Sequence, residues 1–285
     1  MNSDIFFEVC SRVDSPTLSY LSTTAAHDRV RELTDSDYFW YVRTEYLMKR
    51  ALQQRPNEDW KNTYVLLEAA LTRPNSFSGP VLASSLAVLV LLEAGYDPSL
   101  NNNSAIFEAA VAGYTTTVNA LLSDKRVDPT AHSNKIFIRT VLGGHTEVVR
   151  SLLEDGRVDP GVDNQYALEH AALSGRIAIV SMLIKDRRVD PRARDSSALK
   201  KAAENGRIEV VRLLLADGRA DPASENNKAI REAVTRGLLN MVRLLLSDPR
   251  VDPSVDGNYV LRVATERRYN KIVDELRVDS RIQVN

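Results

Sequence analysis

The chain has 285 residues, 44% hydrophobic and 26% charged, and its 37 Lys and Arg against 38 Asp and Glu give a formal net charge of -1. That balance suits a folded, water-soluble protein and leaves no basic excess for phosphates, so nucleic acid is not expected as a partner. The single cysteine, Cys10, precludes an intramolecular disulfide and favours a cytoplasmic compartment.

Residues 1–50 show broken helical periodicity through Ile5, Val9, Val13, Leu18, Leu21, Val30 and Leu33, with Ser15-Pro16 as a turn. The first ten residues lack the charged-then-apolar layout of a secretion signal. The segment runs into Asp37-Tyr38-Phe39-Trp40. With its short helices, a proline turn ahead of Thr17-Leu18, Leu33 seven residues before Trp40 and a closing Phe39-Trp40, the layout resembles an F-box. Asp4-Ile5 stands where that family opens on Leu-Pro. The resemblance implies docking onto a Skp-type adaptor of a cullin ubiquitin ligase through Ile5, Val9, Val13, Leu18, Leu21 and Trp40. Read from its residues alone, the segment serves equally as a helical cap with Trp40 in its core.

Residues 51–95 read as a linker and an irregular first repeat. A first helix is expected over 64–71 and a second over 81–93, joined by a long connection at 74–80. The most apolar stretch, 81–92, contains Ser84 and Ser85 and is too short to span a bilayer, so no membrane association is expected.

Beyond it the chain is periodic. Asp-Pro steps recur with prolines at 98, 129, 160, 191, 222 and 253, each 31 residues after the last. A constant period of this size marks a stacked repeat protein. Six units start at Tyr96, Val127, Val158, Val189, Ala220 and Val251. In the unit 189–219, Asp190-Pro191 opens a polar connector because proline fixes φ and withholds a donor. Ala198, Leu199, Ala202 and Ala203 recur at helical spacing and form a first helix, which Gly206 ends. Ile208, Val211, Leu214 and Leu215 mark a second amphipathic helix. The terminating glycine recurs at 113, 144, 175, 206 and 237, and Arg268 replaces it in the last unit. With Arg262, Glu266 and Arg267 also there, that unit (through residue 281) reads as a polar cap, and a monomer is expected.

The run Ala-Leu-x-x-Ala-Ala-x-x-Gly-x-x-x-x-Val-x-x-Leu-Leu, nearly whole at 167–183 and 198–215, resembles ankyrin repeats. That family has a period of about 33 residues, so the shorter period here implies a reduced β-hairpin finger. The expected fold is all-α: an ankyrin-type helix-turn-helix solenoid with 31-residue repeats and an N-terminal helical segment. An F-box-like start, Trp60 and Tyr64, and Asp-Pro-punctuated repeats together resemble the large ankyrin families of giant DNA viruses of amoebae.

Nothing in the sequence assembles a catalytic or cofactor site. His27, His132, His145 and His170 have no metal-ligand spacing, and neither a Walker loop nor a Gly-x-Ser-x-Gly elbow occurs. No cofactor and no enzymatic activity are expected. Two ladders, Asp124, Asp155, Asp186, Asp217 and Asp248 with Arg126, Arg157, Arg188, Arg219, Arg250 and Arg281, read as connector hydrogen bonding and dipole compensation rather than an anion reader. Binding information is expected where units differ, on the exposed face of the first helices. The candidates are Glu108, Val111, Arg139, Leu142, His170, Leu173, Lys201, Asn205, Glu232 and Arg236, with Tyr166 and Tyr259 as aromatic anchors at connector ends. A protein target is the expected partner. Val111 and Leu142 could instead extend the core.

Overall fold

A computed structural model describes residues 80–94 and 96–282. The chain divides into two units, Met1–Asp97 and Pro98–Asn285. In the first, α1 (Pro80–Ala83) and α2 (Ser85–Ala94) stand where one helix over 81–93 is expected. Ser84 divides them: its Oγ accepts the Ala87 amide at 3.2 Å, the N-cap bond of α2. Leu86, Val88, Val90 and Leu91 of α2 are buried. The remaining F-box-like and linker expectations, Ile5, Val9, Val13, Leu18, Leu21, Trp40, Trp60 and the helix over 64–71, lie outside the described residues.

The second unit is a stack of helix pairs. The first helices are α3 (Leu100–Ala112), α5 (Lys135–Gly143), α7 (Val162–Ser174), α9 (Ala193–Glu204), α11 (Ser224–Thr235) and α13 (Val255–Glu266). The second helices are α4 (Thr115–Leu122), α6 (Thr146–Asp155), α8 (Ile177–Lys185), α10 (Ile208–Asp217), α12 (Leu239–Leu246) and α14 (Asn270–Val278). First helices pack on first helices, second on second, and each pair on itself, giving two layers. Between the layers runs a continuous core. Small residues such as Ala109, Ala110, Ala171, Ala172, Ala202 and Ala203 bring the first helices close, while Val118, Leu121, Val149, Leu152, Val180, Leu183, Val211 and Leu214 fill the second layer. A lone pair would leave one face of this core wet; its neighbours cover it.

The connectors correct one expectation. Among the described residues there is no strand, so the β-hairpin finger is absent rather than reduced. The connectors instead make a single left-handed helical turn, preceded at Asp128, Asp159, Asp190, Asp221 and Asp252 by an Asx turn. In the unit starting at Val189, the Asp190 carboxylate accepts the Arg192 amide at 3.0 Å, and Arg194, Asp195 and Ser196 then take φ of 53°, 54° and 57°. Ser196 closes the turn by donating its amide to the Arg192 carbonyl at 3.0 Å. The same three-residue excursion recurs at 101–103, 132–134, 163–165, 225–227 and 256–258. Left-handed backbone costs an L-residue about 1–2 kcal/mol, least for asparagine, and eight of the eighteen positions are asparagine.

The third turn residue helps to offset that strain by reaching the next unit. Asn103, Asn134, Ser196 and Asn227 accept the amides of Asp128, Asp159, Asp221 and Asp252 at 2.7, 3.2, 2.8 and 2.8 Å. Gln165 is one methylene longer, and its buried Oε1 finds no partner.

Candidate functional site

Charged side chains recur in every unit, so the groups that hold the array must be separated from those available to a ligand. The Asp and Arg ladders belong to the framework. Arg188 forks Asp186 through Nε and Nη2 at 3.0 and 2.7 Å, and its Nη1 donates to the Val158 carbonyl of the preceding unit at 2.8 Å. Arg157, Arg219, Arg250 and Arg281 make the same reach to Val127, Val189, Ala220 and Val251, at 2.6, 3.0, 3.0 and 2.7 Å. Arg157 and Arg281 also donate to the last helical carbonyls, Leu122 and Leu246, at 3.1 and 2.8 Å. There they satisfy groups the helix leaves open and meet its negative end. The Arg hydrogen bonds hold the Asp124, Asp186, Asp248 and Asp279 carboxyls below the ordinary carboxylate range. These are inter-unit clasps, as the structural reading of the ladders expects.

A second joint sits at the repeating glycines. Each has positive φ, from 68° to 79°, where a helix C-terminus favours glycine. Four of the five also receive a side chain of the next unit closely. A Cβ on Gly113 would lie 2.4 Å from the His145 ring, and one on Gly237 3.0 Å from the Tyr269 ring. Arg176 covers Gly144 and Arg207 covers Gly175 in the same way. His145 donates Nε2–H to the Val111 carbonyl at 2.9 Å, and Arg207 Nε–H reaches the Leu173 carbonyl at 3.1 Å. His145 is thus an inter-unit contact.

With the framework assigned, the outward face of the first helices divides in two. Val111 is 40% exposed and Leu142 38% exposed, so neither extends the core, and Leu173 in the equivalent place is half-buried. Glu108 and Arg139 are exposed, and His170 is half-buried with its ring 4.0 Å from that of Tyr166. Val111, Leu142 and Leu173 occupy one repeat position; in the next unit that position is Glu204.

From Glu204 onward the face is a network of paired charge. Arg236 meets Glu204 at 2.6 Å and Lys201 meets it at 3.3 Å. The Asn205 amide turns back to the Lys201 carbonyl at 2.9 Å, which withdraws it from the outer surface. Glu232 is half-buried, and half-buried Tyr259 carries the Arg231 guanidinium 4.5 Å above its ring. Sequence reading missed the centre of this network. Lys200 is buried, its ammonium pairs with Glu225, and Lys228 meets the same carboxylate at 2.7 Å. Hydrogen bonds from Lys200 and then Lys228 pull the Glu225 carboxyl down to about 2. Arg194 pairs with Glu169 at 2.8 Å. An open cleft of about 270 Å³, lined among others by Arg194, Lys200, Glu225 and Glu232, lies between α9 and α11. A signal did exist in the sequence: position 200 is aliphatic or aromatic in the first two units (Phe107, Ile138) and ionic afterwards.

Stacked antiparallel helix pairs joined by tight connectors, with variable side chains on one face, define a helical-repeat solenoid of the binding-module class. The family model described as ankyrin repeats (3 copies) matches residues 106–195, 137–226 and 168–256, together more than half of the chain. The chain belongs to the ankyrin-repeat family. Among solved structures it is similar to the ankyrin-repeat protein EF0377, at 26% identity and TM-score 0.55 over 61% of this chain and 97% of that one. An ankyrin repeat domain from Acinetobacter baumannii AYE matches at 25% identity and TM-score 0.53, covering 61% and 96% of the two chains. The ankyrin repeat domain of Bcl-3, a member of the IkappaB protein family, matches in fold at 23% identity and TM-score 0.55, covering 76% and 97%. No curated protein matches the sequence. Among the described residues, no helix is long and apolar enough to cross a membrane.

Proposed function

We propose that this chain is a non-enzymatic adaptor that holds a protein target on the first-helix face of its repeats. The observation that carries this reading is the exposed apolar pair Val111 and Leu142, at the same repeat position on adjacent first helices. Apolar groups kept in water at equivalent places on adjacent helices suit a partner surface. In this reading Leu173 extends the apolar pair, and Glu108, Arg139, Tyr166, His170, Lys201, Glu232, Arg236 and Tyr259 give the face its polar character. Asn205, bonded back to its own helix, is the weakest of them.

The F-box-like resemblance of residues 1–50 extends the reading. That segment would dock a Skp-type adaptor through Ile5, Val9, Val13, Leu18, Leu21 and Trp40, so that the repeats raise the target's effective concentration beside a ubiquitin ligase in the cytoplasm. If the likeness to viral ankyrin families carries over, that is the host's cytoplasm. The two halves of the proposal separate experimentally. A photo-crosslinker at position 142 of the full chain should capture discrete protein adducts in cells, and one at exposed Arg212 of α10 should not. Equal capture at both places sinks the first-helix assignment. Purified full chain should bind a Skp-type adaptor saturably, and a double Ile5→Asp, Val9→Asp variant should not. No binding by the folded parent removes the ubiquitin link and leaves a capped scaffold.

A further inference from the structure

We propose that the first three repeats form a seat for one acidic amphipathic α-helix of the partner, whose apolar side chains recur every seven residues; this rests on the protein-binding reading above. The row Val111, Leu142 and Leu173 lies on three successive first helices, α3, α5 and α7. Packed helices lie roughly 8–10 Å apart, so the row is a ruler with marks about that far apart. Along an α-helix seven residues rise about 10.5 Å and return to nearly the same face. A partner helix lying along the stack therefore places residues i, i+7 and i+14 over Val111, Leu142 and Leu173. The row stops at Glu204, where Arg236 and Lys201 close on the carboxylate, so the seat spans three units and no more.

An extended peptide could match the same marks with every third residue, but its backbone would need partners along the row. The Val111 and Leu173 carbonyls already accept from His145 and Arg207. A helix satisfies its own amides and carbonyls and asks nothing of the seat's backbone. The flanks then set its charge. Arg139 lies one turn before Leu142 on α5, and Arg176 and Arg207, the side chains that cover Gly144 and Gly175, border the other side. Of the nearby acids, Glu169 is tied to Arg194 and Glu204 to Arg236, leaving Glu108 at the first-unit end. Arg176 and Arg207 make one long side cationic, and the other carries Arg139 at its centre between Glu108 and His170, so an occupant with Asp or Glu beside its apolar stripe is complementary over the second and third units.

The test is panning a display library of random peptides of about 18 residues on the full chain, with the Leu142→Asp variant as comparison. Leu142 is surface-exposed, so the variant keeps the core, which its thermal unfolding checks. Expected winners carry apolar residues seven apart flanked by Asp or Glu, become helical on binding, and lose about tenfold or more in affinity to Leu142→Asp. Their affinity should also fall in an Arg139→Glu, Arg176→Glu double variant. Winners with apolar residues three apart, winners with basic flanks, or winners indifferent to Leu142→Asp overturn the helix seat while leaving a protein-binding array standing. No enrichment by the folded chain counts against both readings.

Discussion

At the scale of single residues, the glycines show how two demands converge on one position. Positive φ alone makes alanine costly, by about 1 kcal/mol. At Gly206 that is nearly the whole penalty, because the nearest Leu238 atoms would sit at 3.7 Å, ordinary contact. At Gly113 the added methyl meets a His145 ring fixed by its bond to Val111, so strain and displacement add. Urea melts should therefore rank Gly113→Ala, at about 2–3 kcal/mol, above Gly206→Ala, at about 1 kcal/mol; equal losses would mean the ring moves freely. Gln165→Asn runs the other way. It restores the acceptor that its equivalents offer to the next connector, and the unfolding free energy from the same melts should rise by about 0.5–1.5 kcal/mol. Glu225 is tested by its charge. Glu225→Gln strands the buried Lys200 ammonium, but Glu225 is itself 40% exposed and screened, so the expected loss at neutral pH is about 1 kcal/mol. Because its folded-state pKa is depressed, that contribution is complete above about pH 4.5 and disappears as pH falls toward 2.

At the scale of elements, the helices were readable and the connectors were not. Ala198, Leu199, Ala202, Ala203 and Gly206 state a short helix and its end, because burial and capping act on side-chain type at fixed spacing. The left-handed turn has no such vocabulary. Its residues include Arg194, Glu225 and His132 beside the expected asparagines, since what pays for the backbone is a bond made 25 residues later, from the Asp128 amide to Asn103. The face of the first helices was readable in outline: Val111, Leu142 and the charged later units stood out, whereas the Lys200–Glu225 pair required knowing which side of each helix meets its neighbour. The clasps belong to this scale as well. Arg188→Ala should cost about 1–2 kcal/mol, and Arg188→Lys should restore little, because an ammonium cannot fork Asp186 and reach the Val158 carbonyl together. Full rescue by lysine would reduce the clasp to a point charge.

At the scale of the molecule, stability in such a stack is close to a sum of unit and neighbour terms. Ending the chain at Pro249 removes α13 and α14 and uncovers the faces of α11 and α12 that pack on them, so the shortened array should unfold at lower urea and self-associate. The clasps give the whole stack a shared pH response. With the Asp124, Asp186, Asp248 and Asp279 carboxyls depressed in the folded state, their contribution is full above about pH 4 and is lost as pH falls through the folded values. The urea midpoint should be level from neutral pH to about 5, then drop. A midpoint that rises on acidification would contradict the clasps.

The joints between units share one chemical habit. The arginines grip main-chain carbonyls, the third turn residues grip main-chain amides, and the covering side chains rest on glycine. At these three joints, unlike the side-chain pairs Lys200–Glu225 and Arg236–Glu204, what is offered across the boundary is backbone, present whatever side chains the neighbour carries. A coupling of that kind is interchangeable, like a standard thread. Middle units could be transposed, duplicated or excised in multiples of 31 residues with the polar joints intact, so the order of side chains along the outer face is free to be rewritten without renegotiating the framework.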